Sequence, residues 1–318
     1  MKPIYSVLLS LAIFATSVLE AKTAQPAAIK NPSYNASTLV KMAYKNVPKN
    51  YSTEASLMNA FYRESINKDN SCVLISEAIL DINKASYLTA RNDMVVIRKA
   101  RSNKLLLNGF DSIMVKFQGG PNSALLVDVV KYPFLGADIN EIDDKYKFSY
   151  DSPVIIDGVT YYVVKFDEKF SCQDILFRGI LYIEPKSLAI GRVEFSMNVE
   201  KRGDAYQIFV KRKPALMKMD VKHANYVVNY KQYNNKWYFD YSTSEVKFHA
   251  RWNKKSVNND YTLKSQLAVI NMITDKVKLD KRDLLKPTDI VSEKVKDYND
   301  STNWDVYNLI MLLALLSV

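Results

Sequence analysis

Strict alternation of apolar and polar residues is the feature that most limits what this chain can form. In Val193–Val199 and Val246–Trp252 every second residue is apolar, and polar residues stand between them. A period of two places alternate side chains on opposite faces of a strand, so both segments predict antiparallel strands with one buried face. Short turns at Asp157-Gly158 and Asn234-Asn235 predict pairing as a meander. Further strands are predicted at 57–66, 72–83, 94–100, 145–150, 159–167, 178–184, 206–212, 226–233, 236–242 and 261–270.

Two segments have helical spacing instead. Residues 36–47 carry an apolar stripe, with Asn35 or Ser37 as the N-cap and Pro48 as the stop. Residues 121–131 begin with a proline at the first helical position. Together they supply roughly 35 Å of helix, too little to cover a face of the predicted sheet. The expected fold is mainly β (α+β): a large curved antiparallel sheet or half-barrel with two or three short helices packed on it.

The N-terminus has the pattern of an export signal. Lys2 is followed by a mostly apolar run over Ile4–Leu19 and by small residues at Ala21 and Ala24. The run is shorter than the roughly 20 residues of a membrane span, so residues 1–21 are predicted to be a signal peptide. A membrane anchor and a buried helix are the alternatives. The expected location is the periplasm, the outer membrane or the cell surface, with no transmembrane span in the mature chain.

The predicted organisation follows from these segments. A lead-in with the N-terminal helix occupies residues 22–50, and the antiparallel β domain occupies 51–278 with the helix 121–131 inserted. Residues 279–318 form a polar segment that ends in an apolar tail, Leu309–Val318, which is too short to cross a bilayer. The apolar fraction of 48% and the charged fraction of 25% are ordinary for a globular protein.

Two cysteines, Cys72 and Cys172, remain in the predicted mature chain. An even number of cysteines in an exported protein permits a disulfide, and two separate buried thiols are the alternative. Both cysteines and the two histidines, His223 and His249, stand far apart in sequence, so no metal-ligand spacing is present. We predict neither a metal nor a cofactor.

Carboxylates give only weak signs of chemistry. Glu64 and Glu77 fall inside strand patterns, where they would pair with Arg63 or Arg91 or act together as a glycosidase pair. An acidic stretch at Asp138–Asp144 lacks the register of a calcium loop and is predicted to be solvated. No catalytic motif surrounds a serine, cysteine or histidine, so the chain is predicted not to be an enzyme.

A basic stretch is the candidate surface for a charged partner, in a chain with a net charge of +10. Export excludes nucleic acid as a sensible partner, so anionic lipid headgroups or glycans are the expected ones. A solvated surface without a partner is the alternative. The stretch consists of Lys211, Arg212, Lys213, Lys218 and Lys222.

Six stretches, at 46–65, 76–82, 116–130, 156–167, 179–198 and 234–252, together resemble exported Bacteroidetes proteins of the carboxypeptidase-like regulatory domain group. The likeness is to their uncharacterised C-terminal β-rich domain, and we expect this chain to lack their regulatory sandwich. This resemblance implies an envelope location and transfers no catalytic residue. The hairpin 156–167 followed by 179–198 also resembles the LolA/LolB-like periplasmic carriers, which implies a curved sheet closed on one side by helices, with an apolar concave face.

Three functions remain open from the sequence. The first is an exported, non-catalytic binding or scaffold protein whose apolar groove accepts a lipid or a hydrophobic segment, with an envelope protein as a further partner. That cavity would instead be closed if the protein's own aromatics or the tail Leu309–Val318 filled it. The second is a glycan-binding module with exposed tyrosine and tryptophan rings. The third is a hydrolase with an unrecognised site.

Overall fold

The computed structural model places the elements below in the unit formed by residues 32–318. The predicted signal peptide, Cys172 and the tail Leu309–Val318 lie outside the described residues. The described residues are 30–69, 71–104, 116–117, 120–135, 138–169, 175–199, 202–253, 256–273, 279–280, 283–298 and 304.

Strands make up most of the described chain, as the alternation predicts. They are β1 Ser56–Lys68, β2 Ser71–Lys84, β3 Met94–Lys104, β4 Lys116–Phe117, β5 Tyr146–Ile156, β6 Val159–Glu168, β7 Phe177–Ile183, β8 Ile190–Met197, β9 Val210–Arg212, β10 Lys218–Tyr233, β11 Lys236–Trp252 and β12 Val257–Ile273. The α-helices are α1 Ala36–Lys45, α2 Val47–Asn50, α3 Gly120–Leu126, α4 Ile142–Lys145 and α5 Val291–Tyr298, and Pro133–Leu135 and Ala205–Ile208 are 3₁₀ turns.

Ten strands form one open antiparallel sheet in the order β3-β2-β1-β12-β11-β10-β8-β7-β6-β5. Three meanders build it, because β1–β3, β5–β8 and β10–β12 each pair with their neighbours in sequence. The pairing of β12 with β1 joins the last meander to the first. The short strands β4 and β9 form a separate pair. The predicted large antiparallel sheet with few short helices is confirmed.

The sequence interpretation differs from the structure at several strands. The predicted strands 236–242 and Val246–Trp252 are one strand, β11, and β10 begins at Lys218, so His223 lies in a strand. The predicted strand 206–212 is wrong, since a 3₁₀ turn and the three-residue β9 occupy it. Phe209 explains the difference, because its ring packs against Phe248 of the large sheet and holds the segment on top of that sheet.

The predicted helices match the observed ones better at their N-terminal ends than at their C-terminal ends. The Asn35 side chain accepts a hydrogen bond from Thr38 N (2.7 Å) and caps α1, worth about 1 kcal/mol. Pro48 does not end the helical region, because it lies in the first turn of α2. The helix predicted over 121–131 ends at Leu126, whose side chain is exposed.

One face of the large sheet, called the covered face, packs against the short elements. Helix α3 lies over β11, β12 and β3, helix α5 over β3 and β2, helix α1 beside β5, and the turn Ala205–Ile208 over β10. The side chain of Ser242 donates to Ala124 O of α3 (2.9 Å) and anchors that helix. Large apolar side chains buried on this face contribute about 1.5–3 kcal/mol each.

The opposite face, called the outer face, is mostly polar and carries exposed or half-buried ion pairs. His223 Nε2 lies 3.0 Å from Glu245 Oε1, and His249 Nδ1 lies 2.7 Å from Asp260 Oδ1. Trp304 covers the β1–β2 end of this face and is 4% exposed. No helix within the described ranges is long and apolar enough to cross a membrane.

Candidate functional site

A single row of residues crosses all ten strands on the covered face. Its members are paired directly opposite one another in every ladder of the sheet, so they lie side by side at one level. Adjacent strands are about 4.8 Å apart, so the row is roughly 43 Å long. In sheet order the row consists of Ser102, Ser76, Glu64, Ser265, Ser244, Tyr226, Phe195, Gly179, Phe166 and Phe148.

The row divides into two chemically different halves. The half on β10 and β5–β8, called the aromatic half, contains four aromatic rings and Gly179. The rings of Phe195 and Tyr226 stack with centroids 4.9 Å apart, and both residues are buried. The half on β1–β3, β11 and β12, called the polar half, contains four serines and Glu64. An amphipathic row of this kind matches a ligand or partner with an apolar part and a polar part.

Gly179 is the one residue of the aromatic half without a side chain. A Cβ atom there would lie 2.1 Å from Glu194 O, so the close approach of β7 and β8 excludes any side chain. A small cavity of about 10 Å³ lies nearby among apolar side chains, which include Phe177 and Leu181 of the same strand. That volume holds one water molecule at most. The lining residues are Tyr44, Val129, Phe134, Phe166, Phe177, Leu181, Val193 and Phe195.

Phe134 lines this cavity and packs against the rings of the aromatic half. Its ring centroid lies 5.0 Å from those of Phe166 and Tyr146, 5.9 Å from Phe148 and 6.0 Å from Tyr44. Its backbone has φ 43° and ψ 38°, a left-handed conformation that is strained for a bulky residue. Among the described residues, the aromatic half is therefore closed by the protein's own rings.

In the polar half, Glu64 is the one ionisable residue. Its carboxylate accepts a hydrogen bond from Tyr62 Oη (2.9 Å), and none of the described cations forms an ion pair with it. Burial raises the pKa of Glu64 to about 7, although the bond from Tyr62 acts in the opposite direction. Ser244 and Ser265 Oγ atoms lie 2.7 Å apart, and those of Ser76 and Ser102 lie 3.1 Å apart.

A buried ionic cluster, called the clamp, fastens the segment 127–135 to the covered face. Lys84 Nζ lies 2.7 Å from both Asp93 Oδ2 and Asp128 Oδ2, and Lys131 Nζ lies 2.5 Å from Asp93 Oδ1. Their side chains are at most 3% exposed. Burial alone would lower the pKa of Lys84, but Asp128 and Asp93 raise it above its ordinary value. Tyr230 Oη adds a hydrogen bond to Asp128 Oδ1 (2.7 Å).

The predicted basic stretch occupies β9, the following turn and the start of β10. Lys211, Arg212, Lys218 and Lys222 are exposed, and Lys213 is half-buried with its ammonium 5.1 Å from the Tyr206 ring centroid. Between them Leu216 is 86% exposed with φ 65°. Residues 205–219 contain four cations and no acid. The stretch is therefore a basic surface with an exposed apolar side chain at its turn.

The two strand glutamates do not form a catalytic pair. Glu64 lies on the covered face, whereas Glu77 lies one position out of register on the outer face. Glu77 is 3% exposed and is held by Arg63 and by Arg101. The glycosidase-pair interpretation is thus wrong, and Arg63 is the partner of Glu77 among the two arginines considered.

Asp143 and Cys72 are two further sequence candidates that the structure describes. Asp143 of the acidic stretch binds Ser37 Oγ and Lys41 Nζ (2.6 Å) of α1, so it fixes a helix. Cys72 is half-buried in β2, with Sγ 3.7 Å from Leu74 O. Because Cys172 lies outside the described residues, the disulfide stays a prediction.

The outer face carries a broad depression, called the outer trough, of about 730 Å³. It runs across β5, β6, β7, β8 and β10 on the reverse side of the aromatic half, and Lys147, Arg178 and Asn225 lie along one wall. The rings of this half belong to the covered face. Within the described ranges Tyr233 is the one exposed aromatic residue. These residues therefore offer no pair of exposed rings for a sugar.

Sequence reasoning missed the row, the clamp and Phe134. The row depends on the register of nine strand pairs, which no local pattern encodes. A signal existed for its polar half, because Glu64 and Ser76 stand at inward positions of otherwise apolar patterns. Lys84 and Asp128 likewise interrupt apolar segments, and buried charges of opposite sign are expected to pair.

No protein-family model matches the chain, and no curated protein matches it. Among solved structures, the chain is similar to a domain crystallised as an outer membrane lipoprotein-sorting protein of Vibrio parahaemolyticus, with 11% identity and a TM-score of 0.30 over 78% of this chain and 97% of the other. It is also similar to a DUF1329 family protein of Desulfovibrio piger, with 9% identity and a TM-score of 0.30 over 78% and 96%.

A third similar structure is the MucA/MucB complex of Pseudomonas aeruginosa, with 9% identity and a TM-score of 0.23 over 72% of this chain and 93% of the other. All three TM-scores are below 0.5, so the likeness carries no argument about function. The resemblance to exported Bacteroidetes proteins stays a prediction.

Proposed function

We propose that this chain is an exported, non-catalytic protein that binds the apolar part of a lipid, or an apolar segment of an envelope partner, against the aromatic half of its covered face. The observation that carries the proposal is the small cavity in the aromatic half, which is lined by apolar side chains and by the ring of Phe134. A bound apolar chain would take the place of the Phe134 ring. The buried apolar surface would supply about 25 cal/mol per Å² of the binding free energy.

Access to this site requires the segment that carries Phe134 to move. The strained backbone of Phe134 favours such a movement, because release of the left-handed conformation recovers about 1–3 kcal/mol. The clamp fixes the same segment at Asp128 and Lys131, so the displacement is confined to the residues that follow. The site would thus open at one end only.

The basic stretch suits docking to an anionic lipid surface. Its exposed cations would meet the phosphate groups, and Leu216 would enter the apolar boundary between headgroups and acyl chains. Each basic residue near an anionic surface contributes about 1 kcal/mol. Docking of this kind would bring the protein to a membrane that supplies or receives an apolar ligand.

Titration with the uncharged apolar dye N-phenylnaphthylamine tests the binding site. We expect saturable fluorescence enhancement with the intact mature protein, and at least severalfold tighter binding by Phe134→Ala, because the ring no longer competes. Tyr233→Ala, which removes an exposed ring from a hairpin turn, is the matched control and should leave dye binding unchanged. Failure of both the unmodified protein and Phe134→Ala to bind the dye would overturn the proposal.

A further inference from the structure

The polar half of the row has no part in binding an apolar chain. Its side chains nevertheless point to the same face and lie at the same level as the aromatic half, beginning one strand beyond Tyr226. Glu64, Ser244 and Ser265 are half-buried and Ser102 is exposed, whereas Ser76 is buried, so four of the five residues of this half are accessible. Each half spans about 19 Å across five strands.

We propose that the polar half is a subsite for the polar head of an amphiphilic ligand, and that this head is uncharged and bears hydroxyl or amide groups. The inference rests on the proposed function, because it places the apolar chain of the same ligand on the aromatic half. Glu64, Ser244 and Ser265 are the residues assigned to the head. Their hydroxyl and carboxyl groups both donate and accept, as such a head requires.

The charges of the row select against an anionic head. No cation stands among its ten residues. The arginines near Glu64, Arg63 and Arg101, lie on the outer face, where they hold Glu77. A carboxylate or phosphate placed beside Glu64 would lose its hydration without gaining a cation. Two carboxyl groups at close range would also disfavour each other's ionised form.

A cationic head is a weaker fit for a different reason. An ammonium group would require Glu64 to be ionised, and burial raises the pKa of this carboxyl. The serine pairs are also better suited to a neutral head, since each hydroxyl bonded to another can turn to donate to or accept from a ligand. A group with several hydroxyls would replace the contact between Ser244 and Ser265 by bonds to both.

Three amphiphiles with the same acyl length separate these possibilities. Monopalmitin has an uncharged hydroxylated head, palmitate an anionic head and palmitylamine a cationic head. Each is used to displace N-phenylnaphthylamine from the full mature protein, below its aggregation concentration. Two or three additional hydrogen bonds predict that monopalmitin displaces the dye at about tenfold lower concentration than either charged competitor.

Two variants test the assigned residues. In Glu64→Leu, and separately in the double variant Ser244→Ala/Ser265→Ala, monopalmitin should displace the dye at about the same concentration as the charged competitors. Direct binding of the dye should be retained in both variants. The double variant decides the matter if Glu64→Leu does not fold. Ser149→Ala, an exposed serine on the outer face, is the matched control and should keep the full advantage.

The outcomes distinguish this inference from the proposed function. Equal or better displacement by palmitate or palmitylamine would overturn the assignment of an uncharged head and leave the proposed function standing. Retention of the monopalmitin advantage in both variants would overturn the assignment of these residues. Absence of dye binding in both the unmodified protein and Phe134→Ala would overturn the proposed function and this inference together.

Discussion

The clamp and the row both place polar groups on the covered face, but among the described residues the charges of the clamp are paired and the carboxyl of the row is not. In the clamp, two lysines and two aspartates meet at 2.5–2.7 Å, and the group is neutral as a whole. In the row, the Glu64 carboxyl has a tyrosine as its hydrogen-bond donor and no ion-pair partner among the described residues. The pKa values differ accordingly. Burial alone would raise the pKa of Asp93, but the two lysines lower it, whereas burial raises the pKa of Glu64.

This contrast distinguishes buried polar groups that stabilise the fold from those that are suited to bind a ligand. A fully paired cluster fixes a segment, because removing any member leaves an uncompensated charge in an apolar medium. The half-buried carboxyl of Glu64 accepts the hydrogen bond of the buried Tyr62 hydroxyl, but without a cation among the described residues its ionised form destabilises the free protein. Such a group is retained more readily where a ligand completes its hydrogen bonds. We therefore interpret the clamp as a fastening and the polar half as a binding surface.

The clamp should give the largest effect on stability. Lys84→Met leaves Asp128 and Asp93 with one lysine, so we expect a loss of about 3–5 kcal/mol in the free energy of unfolding. Lys218→Met, an exposed lysine on β10, should change it by less than about 0.5 kcal/mol. Chemical denaturation monitored by circular dichroism measures both.

A double variant sharpens this test. Lys84→Met/Asp128→Asn restores electrical neutrality, so its loss should be smaller than the sum of the two single losses. Additive losses would mean that packing, and not charge, is what the clamp supplies. The contrast between the clamp and the row would then not hold.

Because it has no cation partner among the described residues, Glu64 should destabilise the folded protein when it is ionised at high pH. Its pKa rises from 4.5 in the unfolded chain to about 7 in the folded protein, so the folded state binds more protons between these values. The free energy of unfolding therefore falls as the pH rises from 4.5 through 7. Glu64→Gln, which imitates the protonated form, should be more stable than the unmodified protein at pH 8 by about 1–3 kcal/mol after allowance for partial solvation.

The same variant contains its own control. At pH 4.5 and below both proteins present an uncharged group in the folded state, so the difference between them should become small. Urea titrations at the two pH values measure it. A Glu64→Gln variant that is equally destabilised at both would indicate that Glu64 is a structural hydrogen-bonding residue.

The sequence was sufficient to predict the strands of the sheet but not the residues of the candidate site, and the reason is physical. Alternation is local, and it located β1, β2, β6 and β7 to within two residues, because each needs one buried face. Which residues lie opposite one another is decided by turn lengths and bulges, such as the unpaired Lys222 in β10. Glu64 and Ser265 are 201 positions apart, yet they are direct neighbours in the sheet.

A smaller difference tests the strain assigned to the aromatic half. Phe134→Ala and Phe134→Gly remove the same ring and leave similar cavities, so both should lose several kcal/mol, as buried phenylalanines do. Glycine adopts φ 43° without penalty, whereas alanine does not. Phe134→Gly should therefore be more stable than Phe134→Ala by about 1 kcal/mol, although glycine is ordinarily the more destabilising replacement. Thermal unfolding of the pair measures the difference.

The basic stretch should have the smallest effect on stability and a large one on docking. Lys218→Glu/Lys222→Glu changes two exposed residues, so the free energy of unfolding should stay within about 0.5 kcal/mol. Binding to vesicles of phosphatidylglycerol should fall by at least tenfold, since about 1 kcal/mol is lost per cation and repulsion is added.

Leu216→Ser should weaken the same binding without changing its salt dependence, because it removes apolar contact and no charge. Equal sedimentation of all three proteins with phosphatidylglycerol vesicles would show that this surface is merely solvated. Stability and partner binding would then both belong to the covered face alone.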